Sequence, residues 1–134
     1  MKIGTQGERE AARIVASALR QDAIAQEAGN PEVIANRYDD VYAEVLPLCN
    51  GLPNLVARGF TFWDWWADAR NHDWKYYDGI ARDDWPRLAR HVAEAVESAV
   101  PIADPVLVRH FECATRPGLL ARFGRLLGLK RESA

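Results

Sequence analysis

Residues 85–99 read WPRLARHVAEAVESA. Trp85, Leu88, Val92, Val96 and Ala99 return every three or four positions, which lines one side of an α-helix with apolar groups. Asp83 or Asp84 is placed to cap the first turn, and Pro86 fits within it. Pro101 ends the pattern. Arg90 and Glu94 stand four apart on the outer side and are expected to pair. A helix with so regular a stripe draws most of its stability from packing, so the rest of the chain must supply the covering surfaces.

Upstream segments carry the same period. Thr5-Gln6-Gly7-Glu8 fits a capping box, with Thr5 as N-cap and Glu8 at the third position. Ala11, Ile14, Val15, Ala18 and Leu19 follow at helical spacing, and Gly29 closes the segment. Alanine dominates this face and permits close helix packing. Asn30-Pro31 is read as a restart, with Ile34, Tyr38, Val41, Tyr42 and Val45 on one face. Pro47 and Cys49-Asn50-Gly51-Leu52-Pro53 end that face. A short turn is expected over Asn54–Arg58, stopped by Gly59. Thr61 is read as the cap of a third main helix reaching about Asp73.

Downstream, Asp104-Pro105 predicts a fifth helix with Leu107, Val108 and Phe111 inward. Thr115-Arg116-Pro117 predicts a sixth, ending near Gly128. No segment shows the sustained two-residue alternation of a half-buried strand. The expected fold is therefore an all-α bundle of five to six short helices with a tryptophan-rich central helix. Residues 1–134 are read as one domain, with residues 116–134 as a basic amphipathic C-terminal helix docked on it. Short loops imply antiparallel neighbours.

The 134 residues are 49% hydrophobic and 27% charged, ample for a core. No run of about 18 uncharged apolar residues occurs, as a membrane-spanning helix would need. The first thirteen residues hold no apolar core of a signal peptide, so a cytoplasmic protein is expected. A net charge of −2 offers no global field for nucleic acid. Cys49 and Cys113 form no Cys-x-x-Cys pair, and two free buried thiols fit a reducing compartment better than a disulfide.

One stretch stands apart. Nine of the thirteen aromatic residues, including all five tryptophans, lie between Phe60 and Trp85. Asp64, Asp68, Asp73, Asp78, Asp83 and Asp84 share it with Arg70, Lys75 and Arg82, leaving a local charge of −3. On a helix, Phe62, Trp65, Trp66 and Ala69 share one side. Trp63, Ala67 and Trp74 widen the apolar arc beyond one core face. The aromatics can build the core, since each buries a large area. Alternatively some are exposed and bind a partner, with Trp65 and Trp66 inside and Trp63 or Trp74 outside. The second reading makes Trp63, Asp64, Asp68, His72, Trp74 and Tyr77 the candidate partner-binding residues.

Asp64, Asp68 and His72 also fall on successive turns, a pattern open to a divalent metal and a small hydrolase. His72-Asp73 lacks the upstream histidine of an HD-type phosphohydrolase. Glu94-x-x-Glu97 is half of the acidic pairing in all-α nucleotide pyrophosphatases, and the other half is missing. There is no phosphate loop, nucleophile elbow or His-Glu-x-x-His motif, and no cofactor is implied. From Pro105 to Ala134 six cationic residues (Arg109, Arg116, Arg122, Arg125, Lys130 and Arg131) face Glu112 and Glu132, for a local charge of +4. Leu119, Leu120, Phe123, Leu126 and Leu127 would line one side of a helix there. That segment offers an alternative as a membrane-surface or nucleic-acid adaptor. The acidic middle and basic end also suggest a homodimer.

The favoured expectation is a non-enzymatic protein-binding module. It would be a small inhibitor, immunity-protein-like or a phage-encoded blocker, that sets an acidic aromatic face against a basic partner surface.

Overall fold

The computed structural model describes residues 5–29, 37–72 and 74–113. The fold is all-α, with one small hairpin. The helices are α1 (Gln6–Glu27), α2 (Tyr38–Val45), α3 (Asn54–Ala69), α4 (Trp85–Ser98) and α5 (Pro105–Cys113). Strands β1 (Tyr76–Tyr77) and β2 (Ile80–Ala81) join α3 to α4. Contacts divide the chain into a first unit ending at Ile102 and a second beginning at Ala103.

In the first unit the helices alternate in direction. Helix α1 starts with the expected capping box, in which Thr5 and Glu8 exchange side-chain and backbone hydrogen bonds. Its alanine face, with Ala11, Ala12, Ala16 and Ala23 at most 1% exposed, packs closely on α4. Those two helices are antiparallel, because Arg20 pairs with Glu97 and Glu94 while Glu27 pairs with Arg90. Arg90 spans α1 and α4 with two 2.8 Å contacts to Glu27. This replaces the pairing with Glu94 expected within α4, because an antiparallel neighbour offers a two-pronged carboxylate.

Helix α2 returns along α1, with Arg37 at its start meeting Asp22 and Leu48 beyond its end lying against Gly7. Helix α3 then runs parallel to α1, since Gly59 faces Val15 and Trp66 reaches Gln26. It is therefore flanked on three sides, by α1, α2 and α4. That explains the wide apolar arc. Phe60 and Trp63 face Tyr38 and Tyr42 of α2, while Phe62 and Trp65 face Trp85 of α4.

Three expected boundaries are corrected. Asn54–Arg58 is the first part of α3 itself, because Gly59 does not stop the helix. A Cβ there would stand 2.9 Å from Val15 Cγ1, so the glycine serves close helix approach and its helix-weakening cost is accepted. Thr61 is mid-helix, where its hydroxyl donates to Ala57 O at 3.0 Å instead of capping. The helix ends at Ala69, with Arg70 as C-cap, one turn short of the expected end near Asp73. In α4 the expected N-cap, Asp84, makes no side-chain cap hydrogen bond.

The hairpin is an addition to the expected all-α elements. Asp78 (φ 55°) and Gly79 (φ 81°) both adopt left-handed conformations, as a two-residue hairpin turn of the favoured twist requires. Tyr76 pairs with Ala81, and Tyr77 with Ile80.

In the second unit α5 starts at Pro105 as expected, with Asp104 Oδ1 accepting from Val106 N at 2.9 Å. Leu107 and Phe111 are buried, whereas Val108 is only half-buried. Cys49 and Cys113 are free thiols, both half-buried. No helix of the described residues is long and apolar enough to cross a membrane. The Asn30-Pro31 restart with Ile34, the helix from Thr115 to Gly128 and the basic segment 116–134 lie outside the described residues.

Candidate functional site

Asp64 and Asp68 sit one turn apart on α3, and tyrosines from two different elements engage them. The Tyr38 hydroxyl of α2 approaches Asp64 and favours its charged form. Burial raises the Asp64 carboxyl to a pKa of about 6. The Tyr38 hydroxyl works against that rise, and the charges of Asp39 and Asp68 add to it. Burial and the same carboxylate push the Tyr38 hydroxyl well above its ordinary value. On the next turn, Tyr77 of β1 donates its hydroxyl to Asp68 Oδ2 at 2.5 Å. Asp68 thus ties α3 to the hairpin, while Asp64 faces α2.

His72 is exposed just past α3. Its Nδ1 lies 3.0 Å from Asp68 O, and its ring is 4.9 Å from the Tyr77 ring. Trp74 is half-buried. The Arg82 guanidinium lies 5.8 Å from its ring centre, and Arg82 Nε donates to Trp74 O at 3.4 Å. Such a cation–π contact at an exposed site stabilises by about 0.5–1 kcal/mol.

Asp68, His72 and Tyr77 therefore gather where α3 meets the hairpin, while Trp74 contacts Arg82 at the end of the hairpin. Trp63 does not join them. It is 0% exposed, because α2 covers the side of α3 that would otherwise be open. The outward position considered for Trp63 is thus not found. Asp64 faces the α2 side, one turn from the cluster. Among the described residues, no three His, Cys, Asp or Glu side chains are grouped to hold a metal ion.

Two neighbours of these residues are not among the expected site residues: Tyr76 and Arg82. Tyr76 is 62% exposed, the largest exposure among the big apolar side chains described. The signal that could have found it is Asp78-Gly79 between Tyr76-Tyr77 and Ile80-Ala81. Alternation along β1 then sends Tyr77 toward α3 and Tyr76 to the other face. Asp22 was also missed. It is a fully buried acid on the α1 face that carries Leu19 and Ala23.

Comparison of the chain with family models, curated proteins and solved structures gives no match.

The tyrosine–aspartate contact at the hairpin makes a direct prediction. Tyr77→Phe keeps the ring against His72 and Trp85 but deletes a hydrogen bond to a carboxylate. The expected loss is about 1.5 kcal/mol in urea unfolding, with faster hydrogen exchange at the hairpin amides. Unchanged hairpin exchange would show that the pairing does not hold the element in place.

Proposed function

We propose that the protein is a non-enzymatic binding module whose contact surface is the hairpin and its acidic surround. The observation that carries this reading is Tyr76, 62% exposed on a short hairpin beside half-buried Trp74 and Tyr77. Exposed rings backed by a held framework are the side chains that dominate protein–protein contacts, since they bury much area with little loss of rotamer freedom. Asp78, Asp83 and Asp84 are exposed around them, with Lys75 and Arg82 between. An excess of carboxylates speeds encounter with a basic surface and selects against acidic ones.

The partner chemistry that fits is a protein with a cationic, partly apolar groove, such as one that holds phosphates. A small acidic blocker of a nucleic-acid-handling protein would act by occupying that groove. An immunity protein acting on a toxin would use the same physics. The metal-hydrolase alternative draws no support from the site, where Asp68 accepts the Tyr77 hydroxyl and Asp64 is buried toward Tyr38 of α2. The adaptor alternative rests on residues 116–134, outside the described residues.

The experiment compares wild type with two variants, Tyr76→Ala and Asp83→Lys/Asp84→Lys, in capture from lysate of the source cells, followed by titration of the purified partner. These positions are exposed, so circular dichroism melts should match wild type. The expected result is at least a tenfold loss of affinity in each variant, with binding weakened by added salt. Equal affinity in all three proteins would remove the hairpin from the interface.

A further inference from the structure

Asp22 is 0% exposed in the middle of the α1–α2–α3 packing, yet its charge is incompletely met. Arg37, at the start of α2, reaches Asp22 Oδ1 at 3.2 Å and shares the same Nη1 with Gln21 Oε1 at 3.0 Å. From α3 the Trp63 indole N–H approaches the carboxylate and favours its charged form. Neither Trp63 Nε1 nor Asp22 Oδ2 completes a hydrogen bond of good geometry. A buried carboxylate with one cationic partner and an unmatched oxygen costs the folded state free energy whenever it is ionised.

The element that can relieve this cost is α2. It buries only Val41 and Val45, and Arg37 gives it no side-chain cap. Each of α1, α3 and α4 buries at least eight residues. Local opening starts where few apolar contacts resist it. Unwinding the first turn of α2 would let Arg37 swing out, admit water to Asp22, and lift Tyr38 from its edge-on seat over Phe60 and Trp63.

We propose that the start of α2 is a proton-gated latch, closed on α1 and α3 when Asp22 carries a proton and loosened when Asp22 is ionised. The groups facing Asp22 are Arg37 from the start of α2, Trp63 from α3, and Gln21 beside it on α1. Tyr38, with Asp64 and Asp39, lies on the α3 side of the same turn. The direction follows from linkage. Burial raises the Asp22 carboxyl from 3.8 to about 6 in the closed state, more than Arg37 lowers it. The opened state has the ordinary value, so the closed state binds the proton more tightly. Acid therefore closes the latch, and raising the pH through about 6 loosens it.

The test is hydrogen exchange of the α2 peptide at about pH 5 and about pH 7.5, corrected for intrinsic chemical exchange, with α4 peptides as internal reference. Wild type should lose about tenfold in α2 protection over that rise. Asp22→Asn, which cannot ionise at that position, should lose clearly less protection than wild type, and the remaining fall belongs to Asp64, whose carboxyl beside Tyr38 is also raised by burial. Arg37→Gln removes the group that favours the charge, so the Asp22 midpoint in the closed state should move to higher pH. Wild-type protection that does not change with pH overturns the proposal. So does an equal fall in Asp22→Asn, or an unmoved midpoint in Arg37→Gln.

Discussion

Trp85→Ala is expected to lower the unfolding free energy by about 4 kcal/mol, measured by urea unfolding followed by circular dichroism. Trp85 is 0% exposed at the first turn of α4. Its ring meets Trp65 edge-on at 4.9 Å, and lies 5.8 Å from Phe62 and 6.5 Å from Tyr77. One side chain thus joins α4, α3 and the hairpin. Truncation removes the transferred area and leaves a cavity whose walls are large rings, which cannot collapse into it. For a domain stable by about 5–15 kcal/mol, that loss is a large share. The hairpin should lose exchange protection before the α1–α4 pair does, because Tyr77 loses its backing. Trp74→Ala, at a half-buried position, should cost well under half as much. Equal losses for the two variants would refute the central role given to Trp85.

Gly59→Val is expected to cost about 3 kcal/mol, against the sign that helix propensity predicts. In a solvent-facing helix, replacing glycine by a residue with a side chain gains up to about 1 kcal/mol. Here a Cβ would stand 2.9 Å from Val15 Cγ1 and 3.6 Å from Val96 Cγ2. Both neighbours are fully buried valines, whose branched chains have few rotamers to retreat into. The added methyls must push α3 away from α1 and α4 together. Val15→Ala frees the space that the Cβ needs, so Gly59→Ala should cost less in that background than in wild type. A double-mutant cycle on thermal melts measures the difference. Strict additivity would mean that close helix approach is not the reason for the glycine.

The candidate site was only partly legible in the sequence. Asp68, His72 and Tyr77 come together, although His72 and Tyr77 lie beyond the helix that carries Asp68. The aromatic density of that stretch drew attention to all of them. What it could not separate was inside from outside. Trp63 and Tyr76 have similar claims to exposure when read along the chain, and the structure buries the first and exposes the second. The burial of Trp63 depends on α2, whose contact with α3 leaves no local mark. The exposure of Tyr76 depends on the Asp78-Gly79 turn, a local signal that was overlooked. Asp22 illustrates the opposite limit. An acid within an apolar stripe is visible, but its single partner, Arg37, lies across a helix connection.

The sequence by itself determined the helical class, the capping box at Thr5, the stripe of α4 and the starts of α4 and α5. These follow from local rules: apolar spacing, capping side chains and proline positions act over one or two turns. Tertiary structure alone decided that Gly59 sits inside a helix rather than after one, and that Arg90 binds Glu27 rather than Glu94. It also decided that the apolar arc of α3 is wide because three helices surround it. Each of these outcomes turns on which helices become neighbours, and that choice minimises exposed apolar area over the whole unit rather than along any one segment.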